Sequence, residues 1–361
     1  MAHKIASESG KRVIVIEKRD HIGGNSHSEI FGTTDIEVHK YGSHLFHTSS
    51  SEVWQFINQF SPFNAYVHQV KSLYQGEYFD IPINLHTLSQ FFHRNFSPSE
   101  ARDFVNNQKG DLSPAKALTF EDRAIQTVGL NLYEAFYKSY TKKQWQLDAS
   151  LLPAETFTRI PVRFNFDSRY FDDTYQGIPT FGYHNVFKKM VEHSRIEILT
   201  GTDFLDLDFK RGEEQIVIFT GPLDRYFNYR FGMLKWRTLD FEWSVENTND
   251  FQGNSVINYP ELQFPFTRIH EFKHLHPERT EVIKSDRTVI AKEFSRFADI
   301  GDEPFYPINS SEDQSLLGRY RTLANREKGV FFGGRLGRYQ YLDMHMAIAA
   351  ALRLFDKIRA S

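Results

Sequence analysis

The chain has 361 residues, 40% hydrophobic and 25% charged, with a net charge of −3. That length calls for more than one core, and the near-neutral charge excludes a broad basic face for nucleic acid. The absence of cysteine excludes disulfides and thiolate chemistry and fits a reducing cytoplasm. No apolar run reaches the length of a membrane span, so a soluble cytoplasmic protein with neither nucleic-acid nor membrane partners is expected. Aromatic residues reach 15%, with 34 Phe and 17 Tyr; such rings fill cores and also stack on flat ligands.

In chain order, residues 1–10 read as the tail of a helix stopped by Gly10. Residues 12–17, Arg-Val-Ile-Val-Ile-Glu, read as a strand buried on both faces of a parallel sheet and closed by an acid. Residues 81–150 read as helical: Ser97-Pro98-Ser99-Glu100 is a capping box, and Ile125, Val128, Leu132, Phe136 and Tyr140 recur at helical spacing. Pro153 and Pro161 bracket a linker, and residues 196–300 turn strand-like. Val330-Phe331-Phe332 reads as a buried strand and Gly333-Gly334-Arg335-Leu336-Gly337 as a glycine-rich turn. A helix from Asp343 follows, with Ile348, Leu352 and Phe355 on one face. The expected fold is α/β. A discontinuous Rossmann-type domain comprises 1–65, 185–222 and 325–361; a sheet built from both chain ends is typical of flavin-binding folds, and the pattern alone leaves the cofactor open. A helical domain spans 81–155, and an antiparallel β-sheet substrate domain comprises 66–80, 156–184 and 223–324.

Glu17 ends the first strand, where an acid accepts hydrogen bonds from a ribose; read alone it is equally a solvated strand end. Gly23 and Gly24 follow, and paired glycines let backbone approach a ligand closely. The turn at 333–337 opens a helix whose free N–H groups suit pyrophosphate. Arg159 and Arg163 lie in the loop Thr-Arg-Ile-Pro-Val-Arg, with Arg237 and Arg268 in the β region; arginine pairs with phosphate in a fork geometry, although each alone is equally a surface ion-pair residue. His270-Glu271-Phe272-Lys273-His274 matches a zinc-protease pattern that works only on a helix, and here it follows strand-like residues. His44 and His47 read as loop histidines near a ligand rather than as a metal pair, so no metal is expected.

The chain resembles the UDP-galactopyranose mutase family over nearly its whole length. The strings that carry this are Val15-Ile16-Glu17-Lys18-Arg19-Asp20-His21-Ile22-Gly23-Gly24-Asn25, Tyr41-Gly42-Ser43-His44-Leu45-Phe46-His47-Thr48, Pro82-Ile83-Asn84-Leu85-His86-Thr87, Tyr140-Thr141-Lys142-Lys143-Gln144-Trp145 and Gly334 to Met344. The resemblance implies interconversion of UDP-galactopyranose and UDP-galactofuranose by reduced FAD, through an adduct of flavin N5 with the sugar and without net redox change. It serves cell-surface polysaccharides, and a homodimer is the implied assembly. Arg159, Arg268, Tyr306, Tyr341 and His44 form the implied catalytic set. Arg159 and Arg268 hold the diphosphate, with hydroxyl donors from Tyr170, Tyr306 and Tyr341. Phe136, Tyr140, Trp145, Asn84 and Arg237 complete the substrate side. Glu17, Lys18, Gly23, Gly24, Asn25, His44, Arg335 and Asp343 contact the flavin nucleotide.

Two departures stand out. The family reads Gly-Pro-His where this chain has Gly42-Ser43-His44. A family member also starts with a strand and a G-x-G-x-x-G turn, whereas this sequence starts in the helix after them, so a missing glycine loop is expected. The alternatives are an inactive remnant that binds UDP-sugar without FAD, and a different flavin enzyme such as an amine-oxidase relative.

Overall fold

The computed structural model of the protein describes residues 1–109, 117–157 and 161–360. The helix Ala2–Glu8 leads through Gly10, at φ +68°, into β1 (Val13–Ile16). Strands β2 (Ser28–Ile30), β3 (Glu37–His39), β4 (Phe46–Thr48), β5 (Val70–Tyr74) and β6 (Glu77–Ile81) follow. Then come β7 (Tyr175–Gly177), β8 (Ile196–Leu199), β9 (Val217–Phe219), β10 (Trp236–Glu246) and β11 (Val256–Asn258). The last are β12 (Arg268–Glu271), β13 (Thr288–Phe297), β14 (Tyr306–Pro307) and β15 (Val330–Phe332). The Rossmann-type part holds two parallel pairs, β1 with β8 and β9 with β15, joining the N-terminal segment and the C-terminal segment to residues between them.

Burial on both faces of β1 is not what forms. Ile14 is 58% exposed, because the helix Ala2–Glu8 packs on one face of the pair while Ile14 alternates to the other. β15 is likewise only half-buried.

The substrate layer is a seven-stranded sheet in the order β14-β10-β13-β12-β11-β5-β6. Its pairs are antiparallel except β11 with β5, which is parallel, a departure from the wholly antiparallel sheet expected. Among the described residues of the helical layer, Pro98–Gln108 opens with the predicted capping box. The apolar repeat through residues 125–140 does not form one helix. Gly129, at φ +82°, breaks it, and Tyr133–Lys138 then winds as a π-helical segment before Ser139–Trp145. Such wide turns shift side-chain register and concentrate at functional sites. Val128, Leu132 and Phe136 still join Ile83, Leu88 and the inner side chains of β5 and β6 in one core.

The closing helix Met344–Ala360 buries Phe355 and packs Ile348 against Val53 and Ile57. No described helix is long and apolar enough to cross a membrane.

Candidate active site

The centre of the site is set by sheet register. Across neighbouring strands, Ser72 of β5 pairs with Asn258 of β11, Asn258 with Arg268 of β12, and Arg268 with Glu293 of β13. Residues opposite one another across a ladder share a face, so this row is polar where a sheet interior is ordinarily apolar. Glu293 is 3% exposed, and the Arg268 guanidinium stands 3.4 Å from its carboxylate. A buried charge persists only when paired and hydrogen-bonded. Burial would raise the Glu293 pKa, but Arg268 and His270 outweigh it and hold the carboxyl down to about 2. The Thr267 hydroxyl adds a hydrogen bond at 3.1 Å. Arg268 is thus a fixed cation, and it also donates to the Tyr140 hydroxyl.

Phenols surround that cation. Tyr306 stacks on Tyr341 with ring centroids 5.7 Å apart, and the Arg335 guanidinium lies 4.6 Å from the Tyr341 ring. Burial, with Glu293 and Tyr341 adding to it, raises the Tyr306 pKa far above ordinary, so its hydroxyl stays a donor. Burial pushes Tyr140 up to about 12. Tyr170 packs edge-on against His68, 5.4 Å away. A fixed guanidinium ringed by protonated hydroxyls is a donor set for a phosphate-bearing ligand.

The loop of residues 40–45 lies over this row: a Cβ on Gly42 would stand 3.8 Å from Glu293 and 3.1 Å from Phe241. His44 donates its backbone N–H to His39 Nδ1 at 2.9 Å, and its own Nδ1 lies 2.8 Å from the Gly42 carbonyl. Burial, with Arg335 and His270 nearby, depresses His44 to about 4 despite the carbonyl, so it is neutral near pH 7.

Farther along, Glu17 ends β1 and accepts the Arg19 N–H at 3.0 Å. Lys18 does not stand free for a phosphate; it pairs with Glu303 at 2.9 Å, as Arg19 also does. Asn25 accepts from Arg19 at 2.8 Å, and Arg19 lies over the Tyr41 ring. Gly23 and Gly24 both have positive φ, +98° and +57°. The first is required by the Phe187 ring beside it, and the second opens onto empty space. Arg335 is anchored by the Phe305 and Leu342 carbonyls. Asp343 precedes the last helix, near His47 and His345.

Several expected side chains have structural duties instead. Phe136 is 4% exposed among Tyr74, Phe79 and Phe91, so its ring belongs to the core. Asn84 is fully buried, where it caps the helix Leu85–Phe91 and donates to Asp80. Arg163 is buried against the Arg169 carbonyl and Asp172 rather than offered to a ligand. Arg237 is 0% exposed; it bonds Ser295 and Gln146, lies 4.5 Å from the Phe297 ring and pairs across the ladder with Tyr306, so it is a buried neighbour of the site whose hydrogen bonds go to protein groups. Trp145 is half-buried at the end of its helix and packs against the helical core. Arg159 lies outside the described residues.

The zinc-protease pattern falls on a strand and a short 3-10 turn, which send its histidines apart: His270 faces Glu293, and His274 faces Asp250 and Glu271. Two groups of possible metal ligands occur among the described residues, Asp250 with Glu271 and His274, and His47 with Asp343 and His345. In the first, the Glu271 oxygens are taken by the N–H groups of Phe251 and Gln252 and by the Thr288 hydroxyl.

Sequence reasoning missed Glu293 and Asp173 and met His270 only in the zinc-protease pattern; His47, read as a loop histidine near a ligand, lies 2.6 Å from Asp173 with its ring stacked on Phe171. For Glu293 a signal was present. In Thr288-Val-Ile-Ala-Lys-Glu-Phe-Ser-Arg-Phe the two-residue period puts an acid on the buried face, and a buried acid demands a cation.

Cofactor fit rests on the chain's own atoms. Buried nitrogens of Arg19 (Nη1) and His345 (Nδ1) have no protein partner, and Gly24 leaves open space at the turn after Glu17. The free Arg19 Nη1 donor, held at the glycine turn by its bond to Asn25, suits a polar group of a nucleotide there. Fold and site together define a Rossmann-type protein whose sheet layer carries a buried arginine among tyrosines, a donor set that suits a phosphate group.

Comparison with known proteins narrows this class. A family model for an NAD(P)-binding Rossmann-like domain matches residues 1–60, and one for UDP-galactopyranose mutase matches residues 135–341. A probable UDP-galactopyranose mutase of Klebsiella pneumoniae is 42% identical over 98% of this chain and 90% of its own length. A dTDP-fucopyranose mutase of Escherichia coli is 37% identical over 97% of this chain and 92% of its own. A crystal structure of a reduced UDP-galactopyranose mutase superposes with a TM-score of 0.70 at 15% identity, covering 98% of this chain and 92% of that one. The chain belongs to the UDP-galactopyranose mutase family, a family of isomerases.

Proposed function

We propose that this protein interconverts UDP-galactopyranose and UDP-galactofuranose with FAD in its reduced form. The observation that carries the reading is Arg268, held charged by buried Glu293, with Tyr140 and Tyr306 beside it and Tyr341 stacked on Tyr306. Arg268 binds the diphosphate of the substrate, and the Tyr306 and Tyr341 hydroxyls donate to its oxygens as negative charge gathers on the departing UDP. Arg159 is the second arginine assigned to the same group. Tyr140 contacts the uracil, and Trp145 lies beside the substrate. Glu17 and the turn at Gly23 and Gly24 hold the nucleotide end of FAD, while Arg335, Asp343 and neutral His44 line its flavin end. Bound and reduced, FAD supplies the nucleophile toward the anomeric carbon, with no net redox change. The chain's own work is to orient the sugar, exclude water and stabilise the diphosphate as it leaves.

The test is a visible absorption spectrum of the purified protein with added FAD, before and after dithionite, followed by chromatography of UDP-galactofuranose incubated with the reduced protein. Flavin uptake with conversion to the pyranose supports the reading. Uptake of UDP but of no FAD would leave a UDP-sugar binder without catalysis. Preferential turnover of dTDP-fucopyranose would move the substrate to that of the Escherichia coli relative.

A further inference from the structure

Three side chains outside the proposed chemistry connect the two halves of the site. Ser43, one residue before His44, has its hydroxyl 2.8 Å from His270 Nδ1. His270 Nε2 lies 3.0 Å from Glu293 Oε2, and the other Glu293 oxygen lies 3.4 Å from Arg268. His270 and Glu293 are 2% and 3% exposed. Their placement follows from the strand period: His270 stands two residues from Arg268 on β12, on the same face, diagonal to Glu293 on β13.

The polarity of this chain of bonds is determined. An ionised carboxylate only accepts, so His270 Nε2 carries the hydrogen. In the neutral ring Nδ1 is then the acceptor, and the Ser43 hydroxyl must donate to it. The run is therefore Ser43 to His270 to Glu293, with Arg268 beyond. The same polarity serves a nucleophilic serine in other enzymes. Here the backbone N–H that follows Ser43 is already spent on His39, so it is not available to stabilise an oxyanion beside that serine. The connection is mechanical instead.

The hydrogen bond of Ser43 to His270 joins the loop of His44 to the carboxylate that pairs with Arg268.

We infer that Ser43 and His270 are positioning residues: through Glu293, the loop bearing His44 sets where the Arg268 guanidinium stands and hence the affinity of the site for a nucleoside diphosphate. This rests on the reading of Arg268 as the diphosphate-binding residue. Removing the His270 donor leaves one oxygen of a buried carboxylate unpaired, which frees Glu293 to turn and draws Arg268 with it.

The experiment is calorimetric titration of UDP into the full chain and into Ser43→Ala, His270→Phe and His270→Gln, each with its melting curve and with steady-state kinetics on UDP-galactofuranose. His270→Phe is expected to raise the Kd for UDP about tenfold, the equivalent of one hydrogen bond of about 1.4 kcal/mol, and to raise KM with kcat nearly unchanged. Ser43→Ala raises the Kd by about threefold. His270→Gln, which keeps a donor toward Glu293, recovers most of the affinity. If His270→Phe fails to fold, Ser43→Ala still decides the matter. A folded His270→Phe or, where that variant does not fold, a folded Ser43→Ala that binds UDP within a factor of about two of the unaltered protein, whatever its melting temperature, would overturn the relay while leaving Arg268 in its proposed role. An unaltered protein that binds no UDP would overturn the diphosphate reading itself, and the relay with it.

Discussion

Glu293 lies directly across the β12–β13 ladder from Arg268, its carboxylate 3.4 Å from the guanidinium and almost wholly out of water. Burial opposes the charge, but Arg268 and His270 hold the carboxyl down to about 2. A folded-state pKa below the unfolded one means that this stabilisation is complete above the ordinary carboxylate range and lost only as pH falls through about 2. Glu293→Gln strands the Arg268 charge, and a loss on the order of 3 kcal/mol is expected in urea unfolding at neutral pH. UDP binding falls with it, because the guanidinium loses its anchor. A variant as stable as the parent would remove the ion pair from the account of this site.

His68 predicts how the protein responds to acid. It is 4% exposed with Nδ1 3.0 Å from the Tyr66 hydroxyl, and burial, reinforced by Arg268, His270 and His47, depresses it to about 3. Its folded pKa lies below the unfolded value, so the unfolded chain takes up the proton first. Stability is expected to fall as pH drops below about 6.5, with this residue contributing at most about 1.4 kcal/mol per pH unit. Unfolding free energies at a series of pH values between neutrality and mild acid measure the slope. His68→Gln flattens it by about one proton.

Gly23 tests the turn after β1. Its φ of +98° is costly for any side chain, and a Cβ would intrude on the Phe187 ring. Gly23→Ala should cost about 1–3 kcal/mol and reduce FAD uptake, whereas Gly24→Ala meets strain from φ +57° but no clash. Thermal melts and flavin titrations of the two variants separate these effects. Equal losses at both positions would deny Phe187 its part.

Lys143 fixes the segment of residues 259–266. Its ammonium donates to the carbonyls of Glu261, Phe264 and Phe266 at 2.9–3.0 Å, and to that of Tyr259. Lys143→Met leaves these acceptors unpaired, and a loss on the order of 2–4 kcal/mol is expected. Trp145 sits two residues away, so its fluorescence should shift in the same variant. An unchanged melting temperature would show the segment held by other means.

Much of this was legible in the chain. The capping box at Ser97 and Glu100, the strand ending at Glu17 and the closing helix from Met344 are local patterns, fixed by caps and by the periods of strand and helix. The arginine at 268 and the tyrosines at 306 and 341 entered through family resemblance, and they converge on one site. Phe136 and Asn84 read equally well as ligand contacts; packing in one case and helix capping in the other use them for the fold.

By itself, then, the sequence determined local features such as the capping box at Ser97, the strand before Glu17 and the closing helix from Met344, while the helix expected through residues 125–140 is interrupted at Gly129. Only the tertiary structure decided which charges are buried together. Glu293 reaches Arg268, and Ser43 reaches His270, through strand register and a loop folded across 227 positions of sequence. No local period encodes such partners. They are selected because a charge taken out of water persists only where the fold brings another group to meet it.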